Sequence, residues 1–308
     1  MMRTLLILGM SVTLAACPTK SAENPGALFG DRGASMEATP FGPAVLLAAG
    51  DIADCGDDGD ESSAILLDSL RGTVAVLGDN AYPSGSDANY KRCYDPTWGR
   101  QKARTRPTPG NHEYRTSDAG GYFRYFGKAA GDPDKGWYSY DLGAWHIIVL
   151  NSNSNCDDIR CDLRSEQVKW LRDDLRRNRK TCTLAYWHHP RFNSGARHGN
   201  SEKVIPFWDV LYENGADVVL NGHEHLYERF AKQTPDGDAD PARGIRQFTV
   251  GTGGRDSYRF GKIKPNSEVR AGDTGGLLRL ELHDDSYKWE FLPIAGDDFR
   301  DSGTERCH

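Results

Sequence analysis

The sequence predicts a mixed α/β sandwich, and three observations predict it. Short apolar runs alternate with stretches of helical periodicity through most of the chain. Each of those runs ends in a Gly or Pro with a polar residue beside it, as α/β strands end where they present side chains to a ligand. The C-terminal part then becomes richer in strand-like segments than in helical ones.

The elements follow in order. Residues 44–49 form an apolar strand ending at Gly50-Asp51, and residues 60–70 carry a helical pattern. A second strand, 73–77, ends at Gly78-Asp79-Asn80-Ala81-Tyr82. Residues 87–102 are predicted as one helix, followed by the turn Gly110-Asn111-His112-Glu113. Residues 137–142 and 145–150 read as two adjacent strands joined by Gly143-Ala144. In the helix predicted at 165–178, Val168, Leu171 and Leu175 recur at helical spacing. The basic residues of 172–180 there make a solvated face with cations near the C-terminus. Strand 182–187 leads into His188-His189-Pro190, helix 201–214 follows, and strand 217–221 ends at Gly222-His223-Glu224-His225. Residues 246–250 and 275–293 complete a β-rich end, with Asp284-Asp285 as a hairpin turn.

At 308 residues, with 38% hydrophobic and 27% charged, the chain fits one large globular domain or a domain with additions. Arg3 precedes an apolar run at 5–14 and small residues, the pattern of an export leader too short to span a membrane. Without Arg3 the 38 basic residues become 37 against 44 acidic, a net charge of −7. No long basic patch accompanies it, so a nucleic acid polymer is not an expected partner. Leu14-Ala15-Ala16-Cys17 resembles a bacterial lipobox, cleaved so that Cys17 carries lipid and holds the protein on a membrane of the cell envelope. The alternative is an ordinary leader with an incidental cysteine. Residues 1–16 are thus expected to be a signal peptide and 17–43, rich in Gly, Ala, Pro and Ser, a flexible tether to a domain at 44–308.

Seven cysteines are an awkward number for an oxidising compartment. Setting Cys17 aside leaves Cys55, Cys93, Cys156, Cys161, Cys182 and Cys307, enough for three disulfides. Cys156–Cys161 is the first pairing expected, because it closes a short polar loop, and Cys55–Cys93 the next. A Cys-rich zinc site is the alternative, although no Cys-x-x-Cys occurs.

The polar groups at the strand ends carry the chemistry. Two imidazoles at i and i+2, His223 and His225, can both face a metal from an irregular turn, and Gly222 gives the backbone room. Gly50-Asp51, Gly78-Asp79, Gly110-Asn111-His112-Glu113, His188 and Gly222-His223-Glu224-His225, in this order, resemble the blocks of the calcineurin-like metallophosphoesterase superfamily. Gly78-Asp79-Asn80-Ala81-Tyr82 and Gly222-His223-Glu224-His225-Leu226-Tyr227-Glu228-Arg229 are most similar to the purple acid phosphatases. The resemblance covers about residues 46–254. It implies a four-layer αββα sandwich of two mixed sheets flanked by helices, and the length leaves no room for the extra N-terminal β domain of the large plant enzymes.

The resemblance also implies two metal ions, roughly 3.5–4 Å apart, that generate hydroxide for in-line attack on the phosphorus of a phosphate ester and clamp the attacking and leaving oxygens. Carried over residue by residue, Asp51, Asp79, Tyr82 and His225 hold the first metal, and Asp79, Asn111, His188 and His223 the second. Ala53 stands where many superfamily members have a ligand histidine and where the purple enzymes usually have glycine. Tyr82 supplies the replacement ligand; a phenolate favours Fe(III) at the first site, with Zn, Mn or Fe(II) at the second. The other reading of Tyr82 is a ring packed above Pro83.

His112, oriented by Glu113, is the first candidate to contact a phosphoryl oxygen or protonate the leaving alkoxide, with Asn111 as a further substrate contact. Arg197-His198 falls where the purple phosphatases carry two histidines; Arg197 would grip phosphate as a charged fork, and His198 is a second proton donor or else simply solvated. His189 is expected to point away from the metals, and His146, His283 and His308 receive no role. Asp236-Gly237-Asp238-Ala239-Asp240 opens like a calcium loop, but Pro241 and Gln247 break the pattern, leaving a polar turn. Gly251-Thr252-Gly253-Gly254 lacks a P-loop lysine and reads as a strand-ending turn near the site rim. The function expected is a binuclear phosphomonoesterase. A phosphodiesterase or nucleotide pyrophosphatase on the same scaffold is the alternative, and a non-catalytic binding lipoprotein the rival of another class.

Overall fold

A computed structural model describes residues 42–153 and 162–308. The leader, Cys17, the tether up to residue 41, Cys156 and Cys161 lie outside the described residues. In chain order the elements are β1 (Ala44–Ala49), α1 (Gly59–Asp68), β2 (Thr73–Leu77), α2 (Asp87–Asn89), β3 (Thr105–Thr108), α3 (Gly120–Phe126), β4 (Tyr138–Leu142), β5 (Trp145–Val149), α4 (Glu166–Arg177), β6 (Cys182–Tyr186), α5 (Ile205–Glu213), β7 (Val218–Asn221), β8 (Tyr227–Phe230), β9 (Arg246–Val250), β10 (Ser267–Ala271), β11 (Gly276–Leu282), β12 (Ser286–Pro293) and β13 (Ser302–Arg306).

They make two mixed sheets with flanking helices. One sheet runs β13-β12-β11-β1-β2-β3, parallel across β1-β2-β3 and antiparallel elsewhere. The other runs β10-β8-β9-β7-β6-β5-β4, parallel from β9 to β5. Period-two alternation decides which side chains go where. Ile147, Val149, Leu184, Tyr186, Val218 and Leu220 belong to the core shared with the first sheet, whose Leu46, Val74 and Leu280 lie in the same cluster. Their neighbours Ile148, Leu150, Ala185, Trp187 and Val219 pack with Val168, Leu171 and Leu175 of α4 and with Phe207, Trp208 and Leu211 of α5. At about 1.5–3 kcal/mol for each large side chain withdrawn from water, those helix faces hold α4 and α5 on the sheet.

Local chemistry sets the boundaries. Ser165 caps α4 by accepting from the Val168 N–H at 3.2 Å, and Pro206 sits in the first turn of α5, where its missing N–H costs nothing. The helix expected over residues 87–102 is broken. After α2 the chain forms a π-turn at Tyr90–Tyr94, and a 3₁₀ segment resumes at Trp98–Arg104. Pro96 between them has no N–H to donate, and the backbone leaves helical geometry at Thr97, with φ −106° and ψ −97°. Cys55 is bonded to Cys93 and Cys182 to Cys307. The first pairing was the second expected, and the remaining described cysteines form a disulfide, not a zinc site. Among the described residues no helix is long and apolar enough to cross a membrane.

Candidate metal centre

Five strand ends meet at one place. Asp51 follows β1, Asp79 follows β2, Asn111 follows β3, His188 follows β6, and His223 and His225 follow β7. The β1–β2 pairing continues past both strands, with Asp51 N–H donating to Gly78 O at 3.0 Å and Ile52 N–H to Asp79 O at 2.9 Å. Tyr82 N–H then donates to Ala53 O at 2.8 Å, which fixes the tyrosine over this extension.

The donors form two overlapping groups. Tyr82 OH lies 3.2 Å from Asp51 Oδ1, 3.3 Å from Asp79 Oδ2 and 3.2 Å from His225 Nε2. His225 Nε2 lies 3.5 Å from Asp51 Oδ1. In the second group, His188 Nε2 is 3.3 Å from Asp79 Oδ2, 3.2 Å from Asn111 Oδ1 and 3.1 Å from His223 Nδ1. Asp79 Oδ2 therefore belongs to both. Oxygen and imidazole donors in this number suit transition metals, and the donor set fits a pair of them.

The outer contacts orient each donor. His188 Nδ1 donates to Leu77 O at 2.9 Å and His225 Nδ1 to Asp256 O at 2.8 Å, which turns both Nε2 atoms inward. The other oxygen of each carboxylate is held by backbone: Asp51 Oδ2 accepts from His223 N–H and Asp79 Oδ1 from His112 N–H, both at 2.8 Å. Asp51, Asp79 and His223 all adopt positive φ, at 60°, 50° and 74°. Two glycines admit the close approach: a Cβ on Gly110 would lie 2.1 Å from Asp79 Oδ1, and one on Gly222 2.7 Å from Asp51 Oδ2.

The electrostatics are those of charges pressed together. Burial would raise Asp79, but the His188 and His112 rings hold its carboxyl well below the usual range. In return, Asp79 overcomes the burial of His188 and pushes it up to about 9. Burial, with Asp79 and Asp51 adding to it, raises the Tyr82 phenol well above 10. A cation among these groups relieves the repulsion and favours the phenolate.

Two histidines flank the donors. His112 Nδ1 donates to Pro83 O at 2.7 Å, and its Nε2 lies 3.9 Å from Asp79 Oδ2. Glu113 does not orient His112. It is buried, with Oε2 accepting from Gly110 N–H at 2.8 Å and Oε1 from Asn80 N–H at 2.9 Å and Ala81 N–H at 3.3 Å. Burial and the nearby Asp79 push it up to about 7. His198 stacks on His223 with centroids 4.0 Å apart, its Nδ1 3.0 Å from the buried Glu224 Oε2. His189 directs Nδ1 to Ser152 Oγ at 2.8 Å, and its ring lies 4.4 Å from that of His223. Arg197 is exposed on the rim.

Three neighbours went unnoticed in the sequence. Arg255 lies 4.9 Å over the Tyr82 ring and is paired with Asp54 at 2.5 Å and Asp57 at 3.3 Å. Tyr258 stacks on His225 with centroids 3.9 Å apart. Glu224 braces the loop bearing Arg197 and His198 by accepting from both backbone N–H groups at 3.2 Å. The signal for Arg255 and Tyr258 was the glycine-rich turn after β9: a Cβ on Gly251 would lie 2.8 Å from Asp51 Oδ2, so that loop abuts the site.

Fold and donor set together define a class, an α/β sandwich of two sheets gathering carboxylates, imidazoles and a phenol at its strand ends. The chain belongs to the calcineurin-like phosphoesterase family, whose model matches residues 37–227. Purple acid phosphatase 18 of Arabidopsis thaliana is 28% identical over 232 residues, 69% of this chain and 50% of that protein. Human acid phosphatase type 7 is 32% identical over 139 residues, 39% of this chain and 31% of that one. The chain thus spans about half the length of the plant relative. The solved structure of purple acid phosphatase PPD1 from yellow lupin seeds shares the fold at TM-score 0.67 and 16% identity, over 85% of this chain and 53% of that one. PhoD does so at TM-score 0.62 and 14% identity, over 86% and 69%.

Proposed function

We propose that this protein is an exported two-metal phosphomonoesterase of the purple acid phosphatase type. One observation carries the reading: Asp79 Oδ2 sits 3.3 Å from both Tyr82 OH and His188 Nε2, so a single carboxylate oxygen serves both donor groups. Asp51, Asp79, Tyr82 and His225 would hold one ion, and Asp79, Asn111, His188 and His223 the other. The phenolate of Tyr82 favours Fe(III) at the first, with Zn, Mn or Fe(II) at the second. Bound there, such ions would supply polarisation of the phosphoryl group and a water-derived nucleophile near neutral pH.

The chain's own groups do the rest. His112 keeps its Nδ1 proton on Pro83 O, so Nε2 faces the ester; burial lowers its pKa, with Asp79 pulling the other way. His198, its Nδ1 on Glu224, has Nε2 left to meet the leaving oxygen and give it a proton. Asn111 directs its Oδ1 to His188 at the centre, which would leave its Nδ2 to donate to a phosphoryl oxygen. The leader, the lipobox-like Cys17 and two disulfides support an exported, membrane-tethered protein.

The test is metal analysis of the purified protein with a visible spectrum and a panel of mono- and diesters. Iron at one site, a tyrosinate charge-transfer band that vanishes in Tyr82→Phe, and monoester preference are expected. An oxidised, metal-replete, active enzyme without that band would refute the assignment of Tyr82. A diester preference would replace the substrate class and leave the site standing.

A further inference from the structure

Beyond the donors, one cation on the rim is uncommitted and built into place. The Arg197 guanidinium lies 4.6 Å over the Tyr258 ring and forms no ion pair among the described residues, whereas Arg255 is bound to Asp54 and Asp57. Tyr258 itself stacks on His225 at 3.9 Å and 14°. The Tyr258 ring is thus engaged by both an imidazole and a guanidinium. The rim offers charge, held one aromatic ring outward from His225.

The backbone that carries this charge is anchored. Arg197 N–H and His198 N–H donate to Glu224, and Asn193 Nδ2 donates to Glu224 Oε2 at 2.8 Å. Ala196 N–H donates to Arg259 O at 2.9 Å and Gly261 N–H to Ser194 O at 2.8 Å, joining the Arg197 loop to the Tyr258 loop in an antiparallel ladder. Tyr258 N–H donates to His225 O at 2.8 Å, tying both to the metal centre. Arg197 stands on the rim beside Tyr258, one ring out from the donor His225.

We infer that Arg197, set by Tyr258, is a specificity-determining residue that selects phosphate esters whose alcohol carries a second anionic group, a carboxylate or another phosphate. The inference rests on the proposed phosphomonoesterase activity. A guanidinium fork meets such a group with paired hydrogen bonds, which a neutral alcohol cannot supply.

The experiment compares two open-chain esters that differ only in a hydroxymethyl against a carboxylate at the far end of the leaving alcohol, sorbitol 6-phosphate and 6-phosphogluconate, in the wild type, Arg197→Gln and Arg197→Lys. The wild type is expected to favour 6-phosphogluconate in kcat/KM by about tenfold, chiefly through KM. The preference should weaken with salt, collapse toward one in Arg197→Gln and recover in part in Arg197→Lys. Competitive inhibition by inorganic phosphate should change far less than that ratio. Equal loss on both esters, with weaker phosphate inhibition in step, would place Arg197 on the transferred phosphoryl group and overturn the inference. So would a wild type without preference. Inactivity on every ester would instead overturn the proposed activity, and this inference with it.

Discussion

Glu113 is the group whose removal the site should feel most without any metal donor being touched. Its carboxylate is fully buried and accepts three backbone N–H groups, from Gly110, Asn80 and Ala81, with Tyr90 OH at 3.4 Å. Those N–H groups belong to the loops that deliver Asp79 and Tyr82 on one side and Asn111 and His112 on the other. Glu113→Ala strands all three, and each buried unpaired donor costs about 1–3 kcal/mol. Relaxation and entry of water offset part of that, leaving an expected loss on the order of 3–5 kcal/mol. Glu113→Gln keeps one oxygen for Asn80 and Ala81 and turns its amide toward Gly110, so a single donor is stranded and the loss is about 1–3 kcal/mol. Denaturant unfolding of chelator-treated protein measures both, and titration of the metal-free variants measures an affinity lowered about 10–100-fold. A Glu113→Ala protein within about 1 kcal/mol of wild type would refute the bracing role.

Other consequences are as direct. Asp79→Asn keeps an oxygen for His112 N–H, so the fold should survive, while loss of the shared negative charge should cut turnover by at least about a hundredfold; circular dichroism with kinetics tests this, and retained activity sinks the two-metal reading. His146, which had no role in the sequence, lies 2.8 Å from Asp174 and 3.0 Å from Asp141. Burial would lower its pKa, but Asp174 and Asp141 outweigh that and raise it. The stability it contributes is present in full below about pH 6.5 and is lost as pH rises through the raised value. Melting temperature across that window should therefore fall more steeply for wild type than for His146→Gln. Cys307→Ser opens a link spanning 125 residues, for which chain entropy sets a ceiling of about 5 kcal/mol, so a loss of about 2–5 kcal/mol is expected in unfolding experiments.

The donors were legible because their chemistry is punctuated in the chain. Gly78-Asp79 and Gly222-His223 sit where an apolar run stops, and the structure brings together Asp51, Asp79, Tyr82, Asn111, His188, His223 and His225, the set that the family resemblance implied. β3 was invisible because Thr-Arg-Pro-Thr has no apolar run; it is an edge strand, where Pro107 costs the sheet no interior hydrogen bond. The break in the helix expected over 87–102 had one sign in the sequence, Pro96, which that reading did not weigh. Glu113 was misassigned for a different reason. Adjacency to His112 suggested a partner, but its burial turned it to the backbone of two loops. Arg255, Tyr258 and the brace from Glu224 depend on contacts between loops far apart in sequence, which no local pattern encodes.

The backbone conformations show how the donor loops hold one another in place. Left-handed φ at Asp51, Asp79 and His223 costs on the order of 1–3 kcal/mol each and persists only where surroundings over-determine it. Here the constraint is mutual. The His223 N–H that holds Asp51 Oδ2 comes from the β7 loop of one sheet, and Asp51 from the β1 loop of the other. Within the first sheet, the His112 N–H that holds Asp79 Oδ1 joins the β3 loop to the β2 loop. Each carboxylate thus spends one oxygen fixing a neighbouring loop and turns the other inward, so no donor loop shifts without pulling another. Gly110 and Gly222 sit at those two crossings, where a Cβ would collide with the same carboxylates. Replacing either glycine by alanine should therefore perturb both donor groups at once, and metal titration of Gly222→Ala should show weakened binding at two sites. Loss confined to one would mean that the loops are independent and the coupling absent.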